Sequence, residues 1–206
     1  MARGTSTVLF TDLVGSTEQS VRFGEAFDDA RRAHDAALRA VVEAHAGSVV
    51  KGTGDGIMAT FAVVSDGVAA ARALQQAIHR LNRRRPEPSL SIRVGLSVGD
   101  VSFEDGDCYG EPVVQAARLC AIADGDQVLA AAVVQALVGG ARAEGFLDAG
   151  PRELKGLPGE LDVVELVWER PEASATRSAH SRHSFADSSL ISHARSLRNL
   201  SSTIFW

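Results

Sequence analysis

Thr7-Val8-Leu9-Phe10-Thr11 is a run of β-branched and aromatic residues that stops at Asp12, which predicts a short buried strand. Gly15-Ser16-Thr17-Glu18 then offers residues suited to cap a helix. Across residues 25–46, Ala26, Ala30, Ala33, Ala37, Val41 and Ala44 recur every three to four positions, predicting a helix packed through that stripe and ended by Gly47. Ser48-Val49-Val50-Lys51 and Gly56-Ile57-Met58-Ala59-Thr60-Phe61 read as two strands joined by Gly52-Thr53-Gly54-Asp55, a hairpin with a glycine-rich tip. Residues 65–82 are again helical, with Val68, Ala71, Leu74, Ala77, Ile78 and Leu81 on one face. Residues 90–103 predict one long strand or a strand pair, in which Ile92, Val94 and Leu96 alternate with Ser91, Arg93 and Gly95. A last strand-like run covers residues 161–168.

The resulting order, βαββαβ, is that of a ferredoxin-like sheet, in which the first and third strands are antiparallel neighbours at the centre. Asp12 leaves the end of the first strand and Asp55 enters the start of the third, so this topology carries two acids to one sheet edge beside a helix start. Composition changes after Trp168. Residues 171–206 hold ten serines, three histidines and four arginines with almost no apolar periodicity, and a disordered tail is expected behind a folded domain at 1–170.

The chain has 206 residues and a net charge of −5. Without the tail's four arginines and two acids, 17 basic and 24 acidic residues remain, a balance that disfavours nucleic acid and anionic membrane as partners. Arg83-Arg84-Arg85 precedes Pro86-Glu87-Pro88 and reads as a solvated helix end. No stretch reaches the roughly 18 apolar residues of a membrane span, so a cytoplasmic protein is expected. Cys108 and Cys120 have no metal-ligand spacing and read as buried, indifferent thiols, and His34, His45 and His79 as satisfied or solvated histidines. Phe10, Phe61, Phe103 and Phe146 are expected to fill the core.

Paired carboxylates over a glycine-rich turn, with the backbone amides of Leu13, Val14, Gly15, Ser16 and Thr17 close by, suit a divalent cation carrying a phosphate. The same residues also suit a helix cap and a tight turn with no ligand. The wider pattern is more specific. Phe10-Thr11-Asp12-Leu13-Val14-Gly15-Ser16-Thr17, Lys51-Gly52-Thr53-Gly54-Asp55-Gly56, Tyr109-Gly110 and Ala116-Ala117-Arg118-Leu119, in this order, resemble the class III nucleotide cyclases over about residues 6–168.

That resemblance implies an α+β domain with a ferredoxin-like core sheet, additional C-terminal strands and a helix. It implies two divalent cations, Mg²⁺ or Mn²⁺, held by Asp12 and Asp55 with Leu13, and in-line attack of the ribose 3′-oxygen on the α-phosphorus. Lys51 and Asp107 match the family's base-reading pair. An ammonium donor and a carboxylate acceptor fit the N1 and 6-amino group of adenine, which implies ATP, whereas guanine shows the reverse pattern. Arg118 matches the transition-state arginine and Lys155 a phosphate-binding lysine.

Where the family places an Asn, Val114 stands instead, followed by Gln115: either Gln115 or a water orients the ribose, or turnover falls. Both half-sets of site residues in one chain imply a homodimer with shared sites. A first strand so near Met1 leads us to expect no regulatory domain before it. The alternatives are a guanylate cyclase, a diguanylate-type cyclase, and a cyclase-like module that binds nucleotide without turnover.

Overall fold

β1 (Ala2–Leu13) is the strand on which the sheet is assembled, because its β-branched and aromatic residues carry apolar side chains to both faces. The computed structural model describes residues 2–140 and 145–168. The tail expected at 171–206 lies outside the described residues. β1 pairs antiparallel with β3 (Ile57–Phe61) from Thr7↔Phe61 to Phe10↔Met58, and with β4 (Ile92–Glu104) from Ala2↔Phe103 to Leu13↔Ile92. β2 (Gly47–Gly52) closes the hairpin with β3, with a bulge between Val49 and Lys51. The sheet continues beyond β4 through β6 (Val128–Ala131), β8 (Glu160–Leu166) and β7 (Phe146–Glu153), giving the order β2-β3-β1-β4-β6-β8-β7, while β5 (Asp107–Tyr109) folds back on β4.

The βαββαβ order and the central antiparallel β1–β3 pair expected from the sequence are present, and residues 92–104 are a single strand. The C-terminal additions comprise two helices, α4 (Glu111–Ile122) and α5 (Ala132–Val138), with strands β5 to β8. Between β1 and β2 the chain makes two helices, α1 (Ser16–Phe23) and α2 (Glu25–Ala44), parted by Gly24 at φ +52°. The third helix, α3, runs from Val64 to Arg84 and ends in the exposed Arg83 and Arg84, as the charge run predicts.

One correction concerns α2. Its buried face is Phe27, Ala30, His34, Leu38 and Val42; Ala26 and Ala44 are exposed and Gly47 opens β2. Burial is worth more per large apolar side chain, so Phe27 and Leu38 set the rotation of the helix and the alanine stripe lies at its flank. The core is divided by the sheet. Leu9 and Leu13 of β1 pack with α2 and α3 through Phe27, Leu38, Leu74 and Ile78. On the opposite face Val8 clusters with Met58, Val101, Cys108 and Ala116, with Phe10, Val50, Phe103 and Val113 partly buried around them. Of the four phenylalanines assigned to the core, Phe61 is buried, whereas Phe10, Phe103 and Phe146 are half-buried. α4 lies directly on β4: a Cβ at Gly95 would come within 2.2 Å of the Ala116 carbonyl oxygen, so only glycine permits this approach.

Candidate active site

The β1–β3 pairing carries Asp12 and Asp55 to the same end of the sheet. Thr11 is buried, and its hydroxyl accepts a hydrogen bond from the backbone N–H of Ile57 at 3.0 Å, fixing the start of β3 against β1. Gly56 presses into the same place. A Cβ there would lie 1.9 Å from the Thr11 carbonyl oxygen and 3.1 Å from the Asp12 Cα, so the residue next to Asp55 sits against the backbone of Asp12 itself. The tip is closed by a hydrogen bond from Thr53 N–H to the Gly56 carbonyl at 2.9 Å. Leu13 buries its side chain in the core, so it can face the site only through its backbone. Val14 donates its N–H to the Ser91 carbonyl at 2.9 Å and so does not offer that amide. Gly15, at φ +66°, caps α1 without a side chain, and the first-turn amides of Ser16 and Thr17 meet no capping side chain. Uncapped N–H groups at a helix start attract an anion.

Asp12 is not alone. Arg93, its partner across the β1–β4 register, donates from Nε at 2.8 Å and Nη2 at 2.5 Å to Asp12 Oδ2. Its third arm, Nη1, donates to the Ala121 carbonyl in the last turn of α4 at 3.1 Å. Sequence reasoning placed Arg93 only as a polar position in an alternating strand. The available signal was a lone cation on the polar side of a strand that neighbours Asp12, and register decided that the two face each other. Among the described residues no group of three or more His, Cys, Asp or Glu is placed to hold a metal ion. Two carboxylates nonetheless fit a hard divalent cation of the Mg²⁺ type, which takes one or two protein carboxylates and completes its shell with phosphate and water.

Lys51 and Asp107, 56 residues apart, meet directly: Lys51 Nζ donates to Asp107 Oδ2 at 2.5 Å. The β4–β5 turn brings Asp107 across the sheet face to the end of β2. The hydrogen bond from Lys51, then that from the Cys108 N–H at 2.8 Å, hold the Asp107 carboxyl below its usual range. Arg118 and Lys155 are also brought together. Arg118 is exposed on α4 and donates from Nε to the Lys155 backbone carbonyl at 2.9 Å, while the Lys155 side chain is exposed between β7 and β8. Leu154, buried with Leu119, anchors that loop to α4.

Val114 is exposed on α4, and Gln115 beside it is engaged at both ends. The Gln115 amide oxygen accepts from the Ser97 hydroxyl at 2.5 Å, and its amide nitrogen donates to Glu111 at 2.9 Å. Both cysteines are free and buried, and burial pushes the Cys120 thiol up to about 12, consistent with inert thiols. His45 is satisfied by the Val41 carbonyl at 2.8 Å and His79 is exposed beside Trp168. His34 differs from the expectation. It is fully buried, with Nδ1 2.9 Å from Asp35 Oδ1 and Nε2 without a hydrogen-bond partner among the described residues.

The sheet topology, with Asp12 and Asp55 at one end of it, fits a nucleotide-cyclase type of domain. The sequence matches the adenylate and guanylate cyclase catalytic domain over residues 2–166, and the chain belongs to that family. A Rhizobium meliloti protein named "Putative adenylate cyclase 3" is 37% identical over 132 residues, 64% of this chain and 22% of that protein. An uncharacterised protein of Mycobacterium tuberculosis is also 37% identical over 132 residues, and the chain spans 33% of its length. The chain therefore spans a third or less of these relatives. Among solved structures, an adenylate/guanylate cyclase/hydrolase from Silicibacter pomeroyi superposes with a TM-score of 0.70 at 27% identity, over 81% of this chain and 98% of that one. The adenylyl cyclase CyaB from P. aeruginosa shares the fold with a TM-score of 0.71 at 23% identity, over 82% of this chain and 97% of that one.

Proposed function

We propose that this chain is an adenylate cyclase that converts ATP to 3′,5′-cyclic AMP and pyrophosphate at sites shared between two copies of itself. The observation that carries the choice of nucleotide is the contact between Lys51 and Asp107. A donor and an acceptor held side by side complement the N1 and 6-amino group of adenine, and guanine opposes like to like at both positions. The pair is partly exposed in the free chain, and it discriminates once a base covers it, because the wrong base then leaves desolvated polar groups unpaired, on the order of 10⁴-fold in favourable cases.

The residues divide the work. Asp12 and Asp55 would hold the divalent cations, Mg²⁺ or Mn²⁺, that class III cyclases use; when bound, such ions polarise the attacking hydroxyl and neutralise phosphate charge. The first-turn amides of α1 at Ser16 and Thr17 receive phosphate oxygens. Arg118, with Nε occupied by the Lys155 carbonyl, keeps its two Nη groups for the charge that develops on the α-phosphoryl oxygens. Lys155, whose backbone carbonyl Arg118 holds, would supply its ammonium as a further phosphate contact. A second reading, nucleotide binding with little or no turnover, is favoured by one observation: Val114 has no polar group, and Gln115 is already bonded to Ser97 and Glu111.

The test is cyclic nucleotide formation by the purified full chain, with ATP or GTP and Mg²⁺ or Mn²⁺, beside Asp55→Ala. Cyclic AMP from ATP, abolished in the variant, is the expected result. No product from either nucleotide, in a sample that is folded and dimeric, selects the non-productive reading and makes Val114→Asn the first variant to restore activity.

A further inference from the structure

We propose that Arg93 is a charge latch on Asp12, a built-in competitor of the divalent cation that sets how tightly the chain takes the ion. This rests on the assignment of Asp12 as a metal-holding residue. Both contacts of the guanidinium with the carboxylate fall on one oxygen, Nε at 2.8 Å and Nη2 at 2.5 Å from Oδ2. Charge-assisted bonds from two donors occupy that oxygen and set a positive charge where a hard cation must approach. The latch is also fastened from behind. Nη1 donates to the Ala121 carbonyl at the C-terminal end of α4, where helix carbonyls favour a cation, so the guanidinium stays beside the site when the carboxylate turns away from it.

Three features make Arg93 a competitor and not a structural ion pair alone. The two side chains are each about one-third exposed, 32% for Arg93 and 36% for Asp12, so water and ions reach the contact. Exposed pairs of this kind hold weakly, and a dication that Asp55 also contacts exceeds them in field strength. A guanidinium keeps its charge throughout the physiological pH range, so the latch opens by exchange of cations and not by loss of a proton. It also links the two shared sites of the proposed dimer. Ala121 lies three residues after Arg118 on α4, so the residue that holds Asp12 in one site is bonded to the helix whose arginine serves the other.

The competing role, a brace that orients Asp12 for the ion, predicts the opposite sign, and metal binding by the full chain in the absence of nucleotide separates the two. Free Mn²⁺ is followed by its electron paramagnetic resonance signal in titrations of the native chain, Arg93→Gln, Arg93→Met, Arg93→Lys and Asp12→Asn. Circular dichroism confirms that each variant is folded. The latch predicts that both neutral variants lower the Mn²⁺ dissociation constant on the order of tenfold, that Arg93→Lys stays within about twofold of the native chain, and that Asp12→Asn weakens binding. Unchanged or weaker binding in the folded neutral variants, with Asp12→Asn still weakening it, overturns the latch and leaves the metal assignment intact. Native binding in Asp12→Asn removes the assignment of Asp12 and the latch with it. Cyclic AMP formation is not part of the readout, so a failure of the cyclase reading is seen separately.

Discussion

His34 shows how a single side chain acquires a property that its neighbours in sequence do not announce. Burial on the inner face of α2 is the largest influence on it and lowers its pKa, while Asp35 and then Asp55 pull in the other direction. The unfolded histidine takes up its proton near 6.5, so below that pH the unfolded chain binds more protons than the folded one. The His34 contribution is therefore complete above pH 6.5 and is lost as the pH falls from there towards the lower folded value. Urea midpoints measured between pH 7.5 and 5 are expected to decline across that window and to decline less in His34→Leu. An identical decline in the variant would remove His34 as the cause. Asp107, also lowered but by Lys51 and the Cys108 amide, loses its contribution only as the pH falls through the carboxylate range, so the two windows are separate.

At the scale of elements, the β2–β3 hairpin is the piece that makes two distant aspartates neighbours. Its position depends on a backbone approach that has no room for a methyl group, since a Cβ at Gly56 would lie 1.9 Å from the Thr11 carbonyl oxygen, and on the Ile57 N–H bonded to the Thr11 hydroxyl. Gly56→Ala is expected to destabilise the domain by about 1–3 kcal/mol, the usual range for overpacking against immovable atoms. It should also lower any cyclase activity further than stability alone accounts for, because Asp55 moves with the residue beside it. Chemical denaturation and activity measured on the same sample check both parts. A variant with native stability would show that the hairpin has a freedom the close contact denies. The β4–β5 turn does the corresponding work for Asp107, carrying it to Lys51 across 56 residues of sequence.

At the scale of the whole molecule, the proposed site needs two copies of the chain, and this has a test that needs no structure of the dimer. Asp12→Ala and Arg118→Ala are each expected to be inactive alone. Mixed, they should recover activity through the one composite site per heterodimer in which every group is native. Co-purification of differently tagged chains establishes that the heterodimer is present, and no recovery in that sample contradicts the shared site. Among the described residues no helix is long and apolar enough to cross a membrane.

The sequence by itself determined the order of the core elements, because helices and strands impose different periods on apolar side chains: Val8 and Leu9 in β1, Ile92, Val94 and Leu96 in β4, and Val68 to Ile78 in α3 all lie where those periods put them. It also supplied the candidates Asp12, Lys51, Asp55, Asp107 and Arg118, through the resemblance of their motifs to the family's, with the roles proposed above. The rotation of α2 was beyond it, because several alanines and a few large apolar residues compete for one face and the larger buried area wins. Only the tertiary structure decided that Arg93 faces Asp12, that the Lys155 carbonyl holds Arg118, and that both ends of Gln115 are bonded. The Arg93–Asp12 and Ser97–Gln115 contacts depend on strand register and the Arg118–Lys155 contact on how a loop lies against a helix, whereas Gln115 and Glu111 meet within one helix. Period alone is unchanged by a two-residue slip of a strand, and such a slip of β4 would part Arg93 from Asp12 and Ser97 from Gln115.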